Sequence, residues 1–194
     1  MRRPRFIVHA RPVGAERGAR AVEVDGNAHE LLPLGDAVRE ELVWTQPAMF
    51  RREWWLGSPR GEHVLLHPAG MSRRKCVVET PDTTWKLSRS WLGEVIMADV
   101  KGARLARMPN GWFGNSRLER PAGPPLPWRR NWRGEHWLED EHGHELLRVR
   151  RRMNFVRFEA TVTVTDGGRR RDDLTELLAV TFFAWLSRPR GHAH

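Results

Sequence analysis

"RRRDDLTELLAVTFFAWLSRPRG", residues 169–191, decides how the rest of this chain must be arranged. From Leu174 to Leu186 the residues are almost all apolar, while the flanks are strongly basic. Asp173 stands where an N-cap is expected, and Glu176, three residues on, completes the spacing of a capping box. Asp172 and Glu176 also suit the positive end of a helix. Arg188 and Arg190 suit the negative end, and Pro189 and Gly191 stop the helix. The spacing predicts a helix over 173–187. It has no polar face beyond Thr175, Glu176 and Thr181. A helix that is apolar all round is either buried on every side or lies in a membrane. At about 1.5 Å per residue the run spans roughly 20 Å. A hydrocarbon core is about 30 Å thick. The helix is too short to span, so it needs an apolar enclosure, and its length matches the height of a small β-barrel.

The preceding chain supplies strands. "RFIVHA" and "ARAVEVDGNAHELL" are strand-like, with a hairpin signal at Asp25-Gly26. "GDAVREELVW" reads as a short helix, with Asp36 as cap and Val38, Leu42 and Val43 as its apolar stripe. From Arg51 onward strand patterns dominate: "EWWLGSPRGEHVLLHP", "KCVVETPDTTWKLS", "GEVIMADVKGARLARM", "HWLEDEHGHELLRVRRR" and "FVRFEATVTVT". Residues 97–108 and 138–149 share one template, with Asp99 and Gly102 in one copy and Asp140 and Gly143 in the other, 41 residues apart. Asp bonds to the backbone just ahead of it and Gly supplies a positive φ, so each copy predicts strand, turn, strand. "RPAGPPLPWRRNW" (120–132) reads as a rigid loop within one domain.

Antiparallel hairpins with D-x-x-G turns, followed by a wholly apolar C-terminal helix, resemble the tubby C-terminal-like superfamily, which includes the LURP-one-related proteins and the phospholipid scramblases. The residues that carry the resemblance are "WKLSRSWLGEVIMADVKGARLARM", "WLEDEHGHELLRVRRR", "RFEATVTVTDGG" and "LTELLAVTFFAWL". The resemblance implies a twelve-strand closed barrel threaded by its C-terminal helix. Its best-known members bind phosphoinositides through a basic patch, but none of their lipid-contacting residues maps onto a position here. No acidic calcium loop is present to support scrambling.

The expected fold is therefore mainly β (α+β): a closed antiparallel β-barrel enclosing a hydrophobic C-terminal α-helix. One domain covers 1–194, with the barrel over 51–188 and residues 1–50 adding strands and a short helix.

Charge points outward. The 194 residues carry 33 Lys+Arg against 24 Asp+Glu, a formal net charge of +9. Only Lys75, Lys86 and Lys101 are lysines; the other basic residues are Arg, which pairs bidentately with phosphate and carboxylate. Clusters lie at Arg51-Arg52, at Arg73-Arg74-Lys75, at Arg129, Arg130 and Arg133, at Arg148, Arg150, Arg151 and Arg152, and at Arg169, Arg170 and Arg171. Trp128, Trp132 and Trp137 interleave with the third. The last three clusters, from Arg129 to Arg171, are the candidate anion- or lipid-binding residues. Arg beside Trp suits an anionic membrane surface. It also suits single-stranded nucleic acid, the alternative partner. A small-ligand barrel requires space beside the helix.

Chemistry is sparse. No G-x-S-x-G, P-loop or G-x-G-x-x-G motif occurs, and nothing brings together an acid, a base and a nucleophile. No catalytic residue, cofactor or metal site is expected. His136, His142 and His144 are close in sequence, but no HExxH or Cys/His framework accompanies them. Cys76 is the single cysteine. Basic neighbours would lower its pKa, but Cys76-Val77-Val78 reads as a strand and favours a structural thiol. No apolar run is long enough for a membrane span. These features point to a non-enzymatic binding or scaffold protein in the cytoplasm, peripheral to the inner membrane surface if it binds lipid.

Overall fold

The structure, a computed structural model, describes residues 18–24, 26–47, 52–70, 74–111, 115–152 and 158–187. Within them β1 (Arg20–Val24) and β2 (Asn27–Leu31) form a hairpin. A 3-10 turn at Gly35–Arg39 leads to a first meander: β3 (Leu42–Thr45), β4 (Trp54–Ser58), β5 (Gly61–Pro68), β6 (Lys75–Glu79), β7 (Thr84–Arg89), β8 (Val95–Asp99) and β9 (Arg104–Met108). A second meander holds β10 (Ser116–Leu118), β11 (Leu126–Arg130), β12 (His136–Glu139), β13 (Glu145–Arg152) and β14 (Glu159–Val164). The helices α1 (Asp166–Arg169) and α2 (Leu174–Leu186) follow.

β14 pairs antiparallel with β3, with Ala160 opposite Trp44, and so joins the meanders into one path from β10 to β9. The free ends of that path meet at Arg107 and Glu119, which exchange both backbone hydrogen bonds at 2.8 and 2.7 Å. The twelve strands β3–β14 thus make a nearly closed antiparallel barrel. Alternate residues of every strand point inward and join one apolar cluster with α2. Phe182, at the centre of the helix, is fully buried; Trp44 stacks on it at 4.2 Å and Trp54 meets it edge-on at 5.2 Å. The one polar side chain at the middle of the helix, Thr181, donates its hydroxyl to the Leu177 carbonyl and needs no outside partner. The expected β-barrel around an apolar helix is what the chain forms.

The N-terminal region does two things. β3 is part of the barrel wall, whereas β1–β2 lies outside it. Val22, Val24 and Leu31 pack on Trp55 and Leu65, the outward residues of β4 and β5, as a second, smaller apolar cluster. Arg20 pairs with the buried Glu79 at 3.0 Å, and Glu79 also faces His67 and accepts from the Thr84 hydroxyl. This ionic contact ties the hairpin to the wall.

Three local expectations are corrected and one element is new. Within "ELVW", Leu42, Val43 and Trp44 open β3 and are not helix; the helical geometry ends at Arg39. The proline-rich stretch contains β11, where Pro127 sits opposite Arg117 before the pairing with β12 begins at Trp128. Arg169 belongs to α1, a turn of helix capped by Thr165, whose hydroxyl accepts from Gly168. The capping box does not form: Asp173 occupies the N-cap but its carboxylate is taken by Arg171 and Arg120, a stronger charge-assisted pairing. Residues 188–191, expected to stop the helix, lie outside the described residues.

The strands alternate in direction, which gives the barrel two ends. The lower end carries the start of α2, α1, the 3-10 turn and the turns at 99–102 and 140–143. The upper end carries the end of α2 and the turns at 90–93 and 131–134. Arg89 marks the upper end by donating to the Ser187 carbonyl at the helix terminus.

Candidate binding surface

The outer wall of β11–β13 gathers several of the candidate arginines, and acidic residues neutralise them there. Arg148 points outward between Glu135 and Glu145 and lies over the Trp137 ring at 5.2 Å. Its guanidinium is held above its ordinary pKa, first by the Glu145 hydrogen bond. Arg150 reaches Glu135 at 3.0 Å, and Arg129 reaches Glu139 at 3.2 Å. Arg152 is shared by Glu159 and Glu41. At the lower end Arg169 pairs with Asp166, and Arg171 pairs with Asp173. Burial works to raise the Asp173 carboxyl, but Arg171 and Arg120 outweigh it and hold it below its usual range.

Four candidates remain without a carboxylate partner among the described residues: Arg130, Arg133, Arg151 and Arg170. Three of them are at the upper end. Arg130 ends β11 at the rim, Arg133 lies over the Trp132 ring at 4.9 Å, and Arg151 lies over Phe158 at 5.2 Å. Arg89 adds to the same rim. Burial, then the charge of Arg74, holds Arg89 below its ordinary pKa. Lys75 is exposed at the same end. The ten arginines therefore do not form one face: those on the wall are neutralised, three at the upper rim are not, and at the lower end Arg169 and Arg171 are paired while Arg170 is not. Arg51 and Arg73 lie outside the described residues.

The tryptophans of the third cluster are divided in the same way. Trp128 is inside the barrel, stacked on His136 at 5.3 Å. Trp137 is half-buried on the wall and donates to Glu139 at 2.7 Å. Trp132 is 87% exposed, and Trp91, on the other upper turn, is 79% exposed with Leu92 beside it. Sequence reading missed Trp91, although it occupies the position of Trp132 in the 41-residue offset already visible at Asp99 and Asp140.

Burial pushes the Cys76 thiol up to about 12, against the expectation from its basic neighbours, because its side chain points into the core. His136 faces inward, while His142 and His144 flank the Gly143 turn, where the His144 ring lies 3.1 Å from Asp140. No group of three or more metal-capable side chains gathers among the described residues. His192 and His194 lie outside them. A hollow of about 160 Å³ at the lower end is lined by His63, Thr80, Asp82, Trp85, Asp172 and Glu176. Burial, then the charge of Asp173, raises the Glu176 carboxyl there.

Compared with known protein families, curated proteins and solved structures, the chain matches none. No helix of the described chain is long and apolar enough to cross a membrane.

Proposed function

We propose that this chain is a non-enzymatic, tubby-like binding protein that engages anionic phospholipid headgroups at a membrane surface through its upper rim. One observation carries the reading: of the four candidate arginines without a carboxylate partner among the described residues, three, Arg130, Arg133 and Arg151, stand at that end. Paired guanidinium groups have already spent their hydrogen-bonding capacity on carboxylates. Unpaired ones at one end of a rigid barrel are available to phosphate oxygens. Supporting the family assignment are the twelve-strand barrel and its enclosed helix. With the helix filling the barrel, ligands are met on the outside.

The test is vesicle co-sedimentation in phosphatidylcholine with and without phosphatidylserine. Binding is expected only with the anionic lipid, and it falls as salt rises. Each basic residue near such a surface contributes about 1 kcal/mol. Changing Arg130, Arg133 and Arg151 together to Gln should therefore weaken binding roughly 100-fold. Equal binding to neutral vesicles overturns the reading. So does preferential binding of a single-stranded oligonucleotide with a steep salt slope.

A further inference from the structure

The 41-residue offset extends well beyond the two Asp–Gly turns. Residues 84–108, "TWKLSRSWLGEVIMADVKGARLARM", align without a gap on residues 125–149, "PLPWRRNWRGEHWLEDEHGHELLRV". β7–β8–β9 lies on β11–β12–β13, and the inward residues correspond: Leu87 with Trp128, Met97 with Leu138, Ala106 with Leu147. Each copy has a bulge at the same place, between Met97 and Ala98 and between Leu138 and Glu139. The chain contains the same three-stranded unit twice.

A duplicated unit allows comparison of what both copies keep. Gly93 and Gly134 keep a positive φ of 89° and 78°, and Gly102 and Gly143 keep 92° and 82°. Asp99 and Asp140 each accept from the backbone N–H four residues on, at 2.8 Å. Glu94 holds Arg107 in one copy, and Glu135 holds Arg148 in the other. Leu105 and Leu146 pack on the core. All these identities have a structural task in both copies. Arg89 has one at the helix terminus; the side chain of its counterpart Arg130 makes no such contact among the described residues. Trp91 and Trp132 have no core role: they sit at the second position of a turn, which accepts most residue types. Keeping a large aromatic ring there twice, in water, points to a partner outside the molecule.

We infer that Trp91 and Trp132 are two membrane-insertion points, turn tips that place their indoles in the interfacial layer of an anionic bilayer while Arg130 and Arg133 contact headgroup phosphates. This inference rests on the lipid reading above and adds the depth and orientation of binding. Trp is the side chain best suited to that layer, with an apolar body and one N–H donor. The two tips stand on the same rim, four strands apart in the barrel order. Each projects from its own convex turn. A rigid ligand would need a pocket to hold either ring; a fluid interface conforms to both at once. Leu92 adds apolar surface next to Trp91. Charge differs between the ends: Arg130, Arg133 and Arg151 at the upper rim have no carboxylate partner among the described residues, whereas the lower turns mix Asp99, Asp140 and Glu141 with Lys101 and Arg170. Two insertion points also act as linked sites, so the second engages at high effective concentration and sets the barrel upright on the surface.

The full chain is tested with phosphatidylcholine vesicles with and without phosphatidylserine. Trp91→Ala and Trp132→Ala should each weaken anionic-vesicle binding about tenfold, and together about 100-fold, with unchanged melting because neither ring packs in the core. Trp91→Cys and Trp132→Cys are labelled with a polarity-sensitive dye; the buried Cys76 stays unlabelled. Both labels should report an apolar environment on anionic vesicles, while a label at Val100→Cys, on the lower end, should not. If the wild type binds anionic vesicles, the double alanine variant binds as well, and the labels stay in water, insertion is overturned and the arginine reading stands. If the wild type does not bind anionic vesicles, both fall. A label shift produced by a single-stranded oligonucleotide and not by vesicles also overturns insertion.

Discussion

At the scale of single residues, Gly168 shows how closely α1 is set against β13. A Cβ built on it would lie 2.2 Å from the Leu146 carbonyl oxygen, while one on Gly167 meets nothing nearer than 3.6 Å. Gly168→Ala must therefore push α1 off the strand. Overpacking of this kind costs about 1–3 kcal/mol, which for a chain of this size lowers the melting temperature by roughly 2–12 °C. Gly167→Ala should melt at or above the wild-type temperature, because Ala favours helix. Equal melting of the two variants would disprove the close approach. Residue-level reading of the sequence found residues whose environment is local. Cys76 belongs to a strand because its neighbours alternate as a strand does. It could not find the full neutralisation of Arg148, because Glu135 arrives through strand register, although Glu145 lies only three residues before it on the same strand.

At the scale of elements, a buried ionic contact between Arg20 and Glu79 joins the apolar cluster in holding the hairpin β1–β2 to the wall. Glu79 is pushed up by burial, but hydrogen bonds from His67 and Thr84 and the charge of Arg20 outweigh this and leave it below its ordinary value of 4.5. A carboxyl lowered in the folded state stabilises fully above its unfolded pKa, and that contribution is lost as pH falls through the folded value. Glu79→Gln strands Arg20, which is 23% exposed, and should cost about 3 kcal/mol at pH 7. The gap between the wild type and Glu79→Gln should narrow in thermal melts below about pH 4.5. A gap independent of pH would show that the ionised carboxylate is not what holds the hairpin. Elements were legible where turn chemistry is local, as at Gly26, Asp99–Gly102 and Asp140–Gly143. β11 was hidden because its prolines imitate a loop; Pro127 is accommodated because the ladder with β12 runs only over Trp128–Arg130. "ELVW" was hidden because its apolar spacing fits both periods, and pairing with β14 decides it.

At the scale of the whole molecule, the barrel exists because α2 fills it. Phe182→Asp places an unpaired charge where Trp44 and Trp54 now meet the ring. The penalty of several kcal/mol is comparable to the whole stability of a domain, so the variant should be insoluble or lack near-ultraviolet circular dichroism. Phe182→Leu, apolar though smaller, should remain folded. Soluble, native-like Phe182→Asp would mean that the helix is not enclosed. The enclosure was readable because an all-apolar helix too short for a membrane has few other places to go. The placement of β1–β2 on the outer wall was not, because it depends on the barrel surface already existing.

The barrel's filling is made after every strand of its wall. When residue 164 has been added, all twelve strands exist as sequence, but the helix that their inner faces require has not yet been synthesised. Until Leu186 follows, Trp44, Trp54, Trp128 and the leucines beside them line an open trough facing water. Each molecule therefore passes once through a state whose most apolar surface is uncovered. Protection from aggregation during that interval must come from the speed of the ribosome or from other proteins that cover the trough, since the chain's own remedy is its final helix.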